Sequence, residues 1–248
     1  MTSIRFIEEL SMSALPSLQT LYDDGWVLRF AEGYTRRANS VNPLYLSTQP
    51  LAEKIARCEA VYRSQGLNTV FKLTSAVFPG DLDSVLAQSG YKEDGRTSIQ
   101  IANLETLNFS NMLPVTIAEK LSDSWLSAYC RLNGVEPHRI ALMKEMLGHI
   151  LPETAYSSIE QDGEIVATGL GVADRGYIGL FDIVVDERLR NQGLGHRIVT
   201  NLLTWGRSCG AQNAYLQVVS TNTAAQRLYA KIGFREIYQY WYRVKTLT

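Results

Sequence analysis

The stretch best equipped for chemistry is RLRNQGLGHRI, residues 188–198, directly after the apolar run GLFDIVV. Gly193 and Gly195 stand one residue apart at the mouth of an expected helix, behind Arg188 and Arg190. Glycine reaches backbone conformations closed to other residues and puts no Cβ in a ligand's way. Successive N–H groups of such a turn can converge on one anion. The first helical turn adds unpaired N–H groups and a partial positive charge, so a phosphate or diphosphate is the expected guest. The two arginines would add long-range attraction.

Two familiar phosphate-binding designs fit poorly. A Walker loop needs GxxxxGK[ST], a string the chain does not contain. The dinucleotide fingerprint GxGxxG needs a third small residue where Ile198 stands, and an acid near the end of the next strand, where NAYLQVVS has none. A nucleotide-binding module is therefore disfavoured.

The elements that would position the loop are legible around it. VTIAEKL (115–121) reads as a short strand, followed by a helix that Ser122 or Asp123 opens. A second helical stretch covers 138–150, and residues 155–185 read as three strands joined at Asp162-Gly163 and Asp174-Arg175-Gly176. After the loop, Leu194, Ile198, Leu202, Trp205 and Cys209 recur at helical spacing, with Arg197, Thr200, Asn201, Thr204 and Ser208 on the other face and Gly210 as the stop. NAYLQVVS (213–220) reads as a strand. A helix capped by Thr221 or Asn222 and ended by Gly233 comes next, and REIYQYWYRV closes as an alternating strand.

In this order, a strand ending Val185-Asp186, then Arg190-Asn191-Gln192-Gly193-Leu194-Gly195, then Asn222, Ala225, Tyr229 and Gly233-Phe234, the chain resembles the GNAT superfamily of acyl-CoA-dependent N-acyltransferases over roughly residues 115–244. The resemblance implies two parallel strands, 180–185 and 213–219, splayed into a V-shaped slot. Pantetheine would lie there along Ile183, Val184 and Val185, and a backbone N–H near Ile183 would polarise the thioester carbonyl. Main-chain amides of Arg190, Asn191, Gln192, Gly193, Leu194, Gly195 and His196 would hold the coenzyme A diphosphate. Asn222 and Ala225 would line the far side. Tyr229 would protonate the leaving thiolate, a phenol of pKa about 10 serving a thiol near 8.5. An ammonium acceptor of pKa near 10.4 withholds about 4–5 kcal/mol at pH 7 unless a base takes its proton. Asp182 is the candidate base, with Glu160 as a second. Direct attack by the amine needs no covalent enzyme intermediate, and no cysteine falls in the matched motifs.

The first half reads as a faded copy. FIEELS (6–11) parallels IAEKLS (117–122), and residues 68–101 parallel 213–243 as strand, helix, Gly-aromatic, strand. Aligning Gly90-Tyr91 with Gly233-Phe234 puts Leu86 where Tyr229 stands and Pro79 where Asn222 stands. The segment matching the glycine loop, YLSTQPLAEKI, has no glycine, so this half is expected to have lost cofactor binding. The polar stretch 33–45, with Arg36, Arg37, Asn39 and Asn42, is read either as a wall of the acceptor pocket or as a solvated hairpin. Tandem arrangements with one degenerate half occur in GNAT proteins similar to mycothiol synthase.

The expected fold class is mixed α/β of the α+β type: two GNAT-like units, each a largely antiparallel twisted sheet flanked by helices, the second with the splayed parallel pair. Residues 1–110 form the degenerate domain and 111–248 the catalytic one, with the boundary near LNFSNMLPVT (107–116). With 24 Lys plus Arg against 25 Asp plus Glu, the 248 residues give no reason to expect nucleic acid or a membrane surface as partner. Scattered Cys58, Cys130 and Cys209 and three isolated histidines give no metal pattern. Without a secretion signal or a spanning stretch, a reducing cytoplasm is the expectation. The reading is an acetyl-CoA-dependent N-acetyltransferase for a primary amine on a small molecule or peptide, with a homodimer left open. The alternatives are a non-catalytic acyl-CoA sensor, or an acyltransferase taking a longer acyl-CoA or a non-amine acceptor.

Overall fold

The structure, a computed structural model, describes residues 3–108 and 113–247. The boundary expected at 110/111 lies outside the described residues. Contacts divide the chain into two compact units, Met1–Ser98 with Tyr238–Thr248, and Ile99–Ile237.

The first unit opens with α1 (Ile4–Ala14), whose N-cap Ser3 accepts from the Phe6 N–H. There follow β1 (Gln19–Asp23), β2 (Trp26–Phe30), β3 (Val41–Pro43), α2 (Leu51–Ser64), β4 (Thr69–Thr74), α3 (Leu82–Gln88) and β5 (Lys92–Asn103), which continues into the second unit. Asp24 and Gly25, both at positive φ, make the β1–β2 turn. β2 also pairs antiparallel with β3, and β3 runs parallel to β4. The core is aromatic: Phe71 takes Trp26 edge-on at 5.4 Å and Tyr91 at 5.6 Å.

The second unit contains β6 (Thr116–Ala118), α4 (Asp123–Asn133), α5 (Ile140–Gly148), β7 (Glu153–Gln161), β8 (Glu164–Asp174), β9 (Tyr177–Val185), α6 (Leu194–Ser208), β10 (Asn213–Val219), α7 (Thr223–Ile232) and the start of β11 (Arg235–Lys245). β6 to β9 pair antiparallel in sequence order, and β10 lies parallel to β9. Ile198, Val199, Leu202 and Leu203 of α6 pack with Ala155, Ala167, Ile178 and Ala214 in one buried cluster. Among the described residues no helix is long and apolar enough to cross a membrane.

From Tyr238 onward β11 belongs to the first unit, where it pairs antiparallel with β4. The alternation YQYWYR explains why: Tyr238, Tyr240 and Tyr242 are buried, while the residues between them are half-buried. The Tyr238 hydroxyl donates to Glu8 Oε1 at 2.8 Å, and Lys72 Nζ lies 2.5 Å from Glu8 Oε2 and 4.0 Å above the Tyr240 ring. A buried ion pair is tolerated only when its remaining polar atoms are satisfied. Here both carboxylate oxygens have donors.

The two units repeat one plan. At the end of α2, Gly66 N–H donates to Arg63 O and Leu67 N–H to Tyr62 O; at the end of α6, Gly210 donates to Arg207 O and Ala211 to Gly206 O. The aligned pair Leu86 and Tyr229 likewise accept from Tyr91 and Phe234, each at 3.0 Å. One proposed parallel fails, since FIEELS lies inside α1 whereas IAEKLS spans β6 and the turn before α4. Over six residues, strand and helix periodicities are hard to tell apart. Thr200 is a second correction: it is buried on α6, its hydroxyl satisfied by the His196 carbonyl.

Gly169 of β8 is fixed by space. A Cβ there would lie 2.5 Å from Ile198 Cγ2 and 2.8 Å from Ile183 Cδ1. Gly169→Ala is expected to lower unfolding free energy by about 1–3 kcal/mol through overpacking, read by urea denaturation with an unchanged m-value.

Candidate active site

Parallel pairing of β9 and β10 runs from Tyr177/Asn213 to Leu180/Leu216 and stops, although β9 continues to Val185 and β10 to Val219. The strands therefore open, as the resemblance implied. On its other side β9 carries a bulge: Leu170 faces Phe181 and Thr168 faces Val184, so Asp182 and Ile183 together oppose Gly169. A bulge bends the strand and leaves an extra residue out of the ladder. Asp182 absorbs the irregularity at φ 52°, a conformation that Asp tolerates better than most residues.

The loop after β9 is held from within. Buried Asp186 accepts from the Arg188 N–H at 2.9 Å, from its Nε at 3.0 Å and from its Nη2 at 2.7 Å. These bonds, the side-chain ones foremost, lower the Asp186 carboxyl to about 2. Arg188 is thus committed to shaping the loop rather than free to attract a ligand. Arg190 meets Glu187 at 3.0 Å in an exposed pair. Asn191 and Gly193 take φ of 64° and 82°, and α6 begins at Leu194. Gly193 is needed for its dihedral. A Cβ at Gly195 would make only ordinary contacts, 3.4 Å from Leu228 and 3.7 Å from Val185. The protein's own packing therefore does not require glycine at 195, whose missing Cβ leaves that part of the cavity wall open.

A cavity of about 490 Å³ gathers these parts. Ile183, Val184, Val185, Arg190, Asn191, Gly193, Leu194, Gly195, His196, Asn222, Ala225 and Tyr229 all line it. Of the residues expected from sequence, Gln192 and Asp182 do not. Leu189, Ala224, Leu228 and Asn133 line it without having been expected. Ala224 and Leu228 were recoverable as one-turn neighbours on the face of α7 that carries Ala225 and Tyr229. No local signal marks Asn133, which comes from the end of α4.

Two side chains define what the cavity can do. Tyr229 is 8% exposed, with its ring edge-on to Phe234 at 5.9 Å. Its hydroxyl makes no hydrogen bond among the described residues, and burial pushes the phenol up to about 12. It is therefore held neutral, as a donor awaiting an acceptor. Asn222 Oδ1 caps α7 by accepting from the Ala225 N–H at 3.1 Å. Asp182 is linked to the cavity through side chains: Tyr129 OH donates to its Oδ1 at 3.1 Å, and Asn133 Nδ2 donates to Tyr129 OH at 2.9 Å. Trp125 stacks on Tyr129 at 5.5 Å and fixes that ring. Glu160 is exposed at a second bulge, between β7 and β8.

Within the polar stretch 33–45, Asn39 and Asn42 are buried rather than solvated. Asn39 Oδ1 accepts from Ala31 and Gly33, Asn42 Nδ2 donates to Ser40 O, and Arg36 pairs with Asp94 at 2.6 Å.

Residues 1–243 match the family described as "Probable histone acetyltransferase Rv0428c C-terminal". The chain is 30% identical to "Uncharacterized N-acetyltransferase YobR" of Bacillus subtilis, over 99% of this chain and 100% of that protein. Its fold is similar to the GCN5-related N-acetyltransferase from Kribbella flavida, with a TM-score of 0.71 at 18% identity over 100% of this chain and 97% of that one. It is also similar to a tandem GNAT protein from the clavulanic acid biosynthesis pathway, with a TM-score of 0.67 at 10% identity over 97% and 87%.

Asp186 makes the loop sensitive to acid. Its depressed folded-state pKa means that its contribution to stability is present above about pH 4 and lost as pH falls towards 2. Asp186→Asn is expected to melt below the native protein at pH 6, with the gap closing between about pH 4 and pH 2 in parallel thermal scans.

Proposed function

The chain belongs to the Rv0428c C-terminal acetyltransferase family, with the GNAT fold in tandem, and from that premise we propose that it transfers acetyl from acetyl-CoA to a primary amine by direct attack. The observation that carries this reading is the convergence of an open strand edge, a glycine loop and Tyr229 on one cavity. Acetyl-CoA supplies an activated thioester; the chain supplies position, donors and a route for protons. In this reading the second unit, Ile99–Ile237, is the catalytic one and the first unit the degenerate one. Free Cys58, Cys130 and Cys209 support a reducing, cytoplasmic setting.

Backbone N–H groups of 190–196, with the positive end of α6, suit a diphosphate. Ile183, Val184 and Val185 lie on the strand edge that β10 has left, where an extended pantetheine arm finds donors and acceptors of the right spacing. The Ile183 amide then serves the thioester oxygen as negative charge grows there. Tyr229 gives its hydrogen bond to the departing sulfur. A phenol near 12 is a weaker acid than a free thiol, but the cavity that raises the phenol also disfavours a thiolate, so the mismatch narrows. Asp182 accepts the ammonium proton, directly or through a water, and Tyr129 holds its carboxylate in place.

A screen of CoA release against a panel of amines and peptide N-termini tests the reading. Failure of acetyl-CoA to bind at saturating concentration, or a ligand seated away from 190–196, would sink it. Tyr229→Phe is expected to cut turnover by about 10² or more with acetyl-CoA affinity within twofold. Asp182→Asn should flatten the acidic limb of the pH–rate profile, and a fully active variant would remove it as the base.

A further inference from the structure

The first unit has its own version of the loop, and it is full. The matching ends of α2 and α6 fix the correspondence, and the same offset sets Ser47-Thr48-Gln49 against Asn191-Gln192-Gly193. In the second unit Asn191 and Gly193 border the cavity. In the first, Ser47-Thr48-Gln49 close around one side chain, Asp24.

Asp24 Oδ2 accepts from the Thr48 and Gln49 N–H groups and from Ser47 Oγ, each at 2.9 Å, while Oδ1 accepts from Thr48 Oγ1 at 2.9 Å. Lys54 Nζ, its side chain 0% exposed, stands 3.2 Å from Oδ2 and also donates to Asp24 O and Ser47 Oγ at 2.6 Å. Lys54 Nζ also lies 4.0 Å from the centroid of the Trp26 ring. Two main-chain N–H groups ahead of a helix, two hydroxyls and a buried cation form the donor set that an oxyanion takes. These bonds, that from Gln49 foremost, hold the Asp24 carboxyl well below the usual carboxylate range.

Hairpin length explains how the carboxylate arrives there. β2 pairs Trp26 with Pro43, the last residue of β3, and turns immediately at Asp24-Gly25. β8 pairs Ala167 with Val185, the last residue of β9, and runs on through Val166, Ile165 and Glu164 before its turn at Asp162-Gly163. Asp162, the turn residue equivalent to Asp24, is exposed. The shorter hairpin of the first unit brings its turn against the loop. A Cβ at Gly25 would lie 2.2 Å from the Leu46 carbonyl oxygen.

We propose that Asp24 is a built-in anion: its carboxylate fills the place that the second unit's loop keeps open, and so closes the first unit to a second cofactor. The closure rests on the cofactor reading of the second unit; the internal anion stands without it.

Asp24→Gly removes the carboxylate and keeps the positive φ accessible, and Asp24→Asn keeps the shape and removes the charge. Each is melted in sodium formate and in sodium chloride of equal ionic strength, beside the native protein. Both variants should melt about 5 °C or more below it in chloride, because buried Lys54 loses its carboxylate counter-charge. Formate should restore at least half of that loss in Asp24→Gly and leave the native protein unmoved. Variants that melt like the native protein, or formate that acts no differently from chloride, would overturn the proposal. Should Asp24→Gly not fold, the charge-only Asp24→Asn decides by its melting point. Calorimetry with coenzyme A should give one site per native chain. Two sites overturn the closure, and none overturns the cofactor reading while the formate comparison decides the internal anion.

Discussion

A strand deserted by its neighbour in the middle of a sheet is left with hydrogen-bonding groups that nothing in the sheet satisfies. That is the situation of β9 beyond Leu180. Every backbone N–H and C=O removed from water needs a partner, and β10 no longer supplies one for Ile183 to Val185. Such an edge must meet water or an extended ligand. The bulge at Asp182–Ile183 and the bare Gly169 opposite it are what bend β9 at that point, and the rest of the cavity is arranged around the consequence.

The loop and α7 complete the enclosure by different physics. The loop is polar and is kept in shape by Asp186, which spends both carboxylate oxygens on Arg188. The positive φ of Asn191 and Gly193 then turns the chain into α6. α7 contributes an apolar wall with a single hydroxyl, and the burial that keeps Tyr229 protonated also makes its hydrogen bond worth more. A polar loop and an apolar helix face thus line one cavity.

The two units share one backbone plan and differ at the loop. Helix ends, Gly-aromatic turns and the parallel pair persist, because they satisfy the fold itself. The difference lies in a few residues of hairpin length, which decide whether the aspartate at the turn meets the loop or stays exposed. Donors that converge on one point are unfavourable when left dry and unpaired, and in the first unit Asp24 partners them.

Local chemistry made much of this legible. Asp-Gly turns, the Ser122 and Asn222 caps, the Gly210 and Gly233 stops and the glycine loop each act over a few residues, and a short window of sequence contains all of the interacting groups. Tertiary structure alone decided that Asp182 reaches the cavity through Tyr129 and Asn133, and that β11 leaves the second unit at Tyr238. Those outcomes depend on which of several competing partners lies closest after the chain has folded. That choice is made between residues dozens to hundreds of positions apart, where spacing along the sequence carries no information about distance in space.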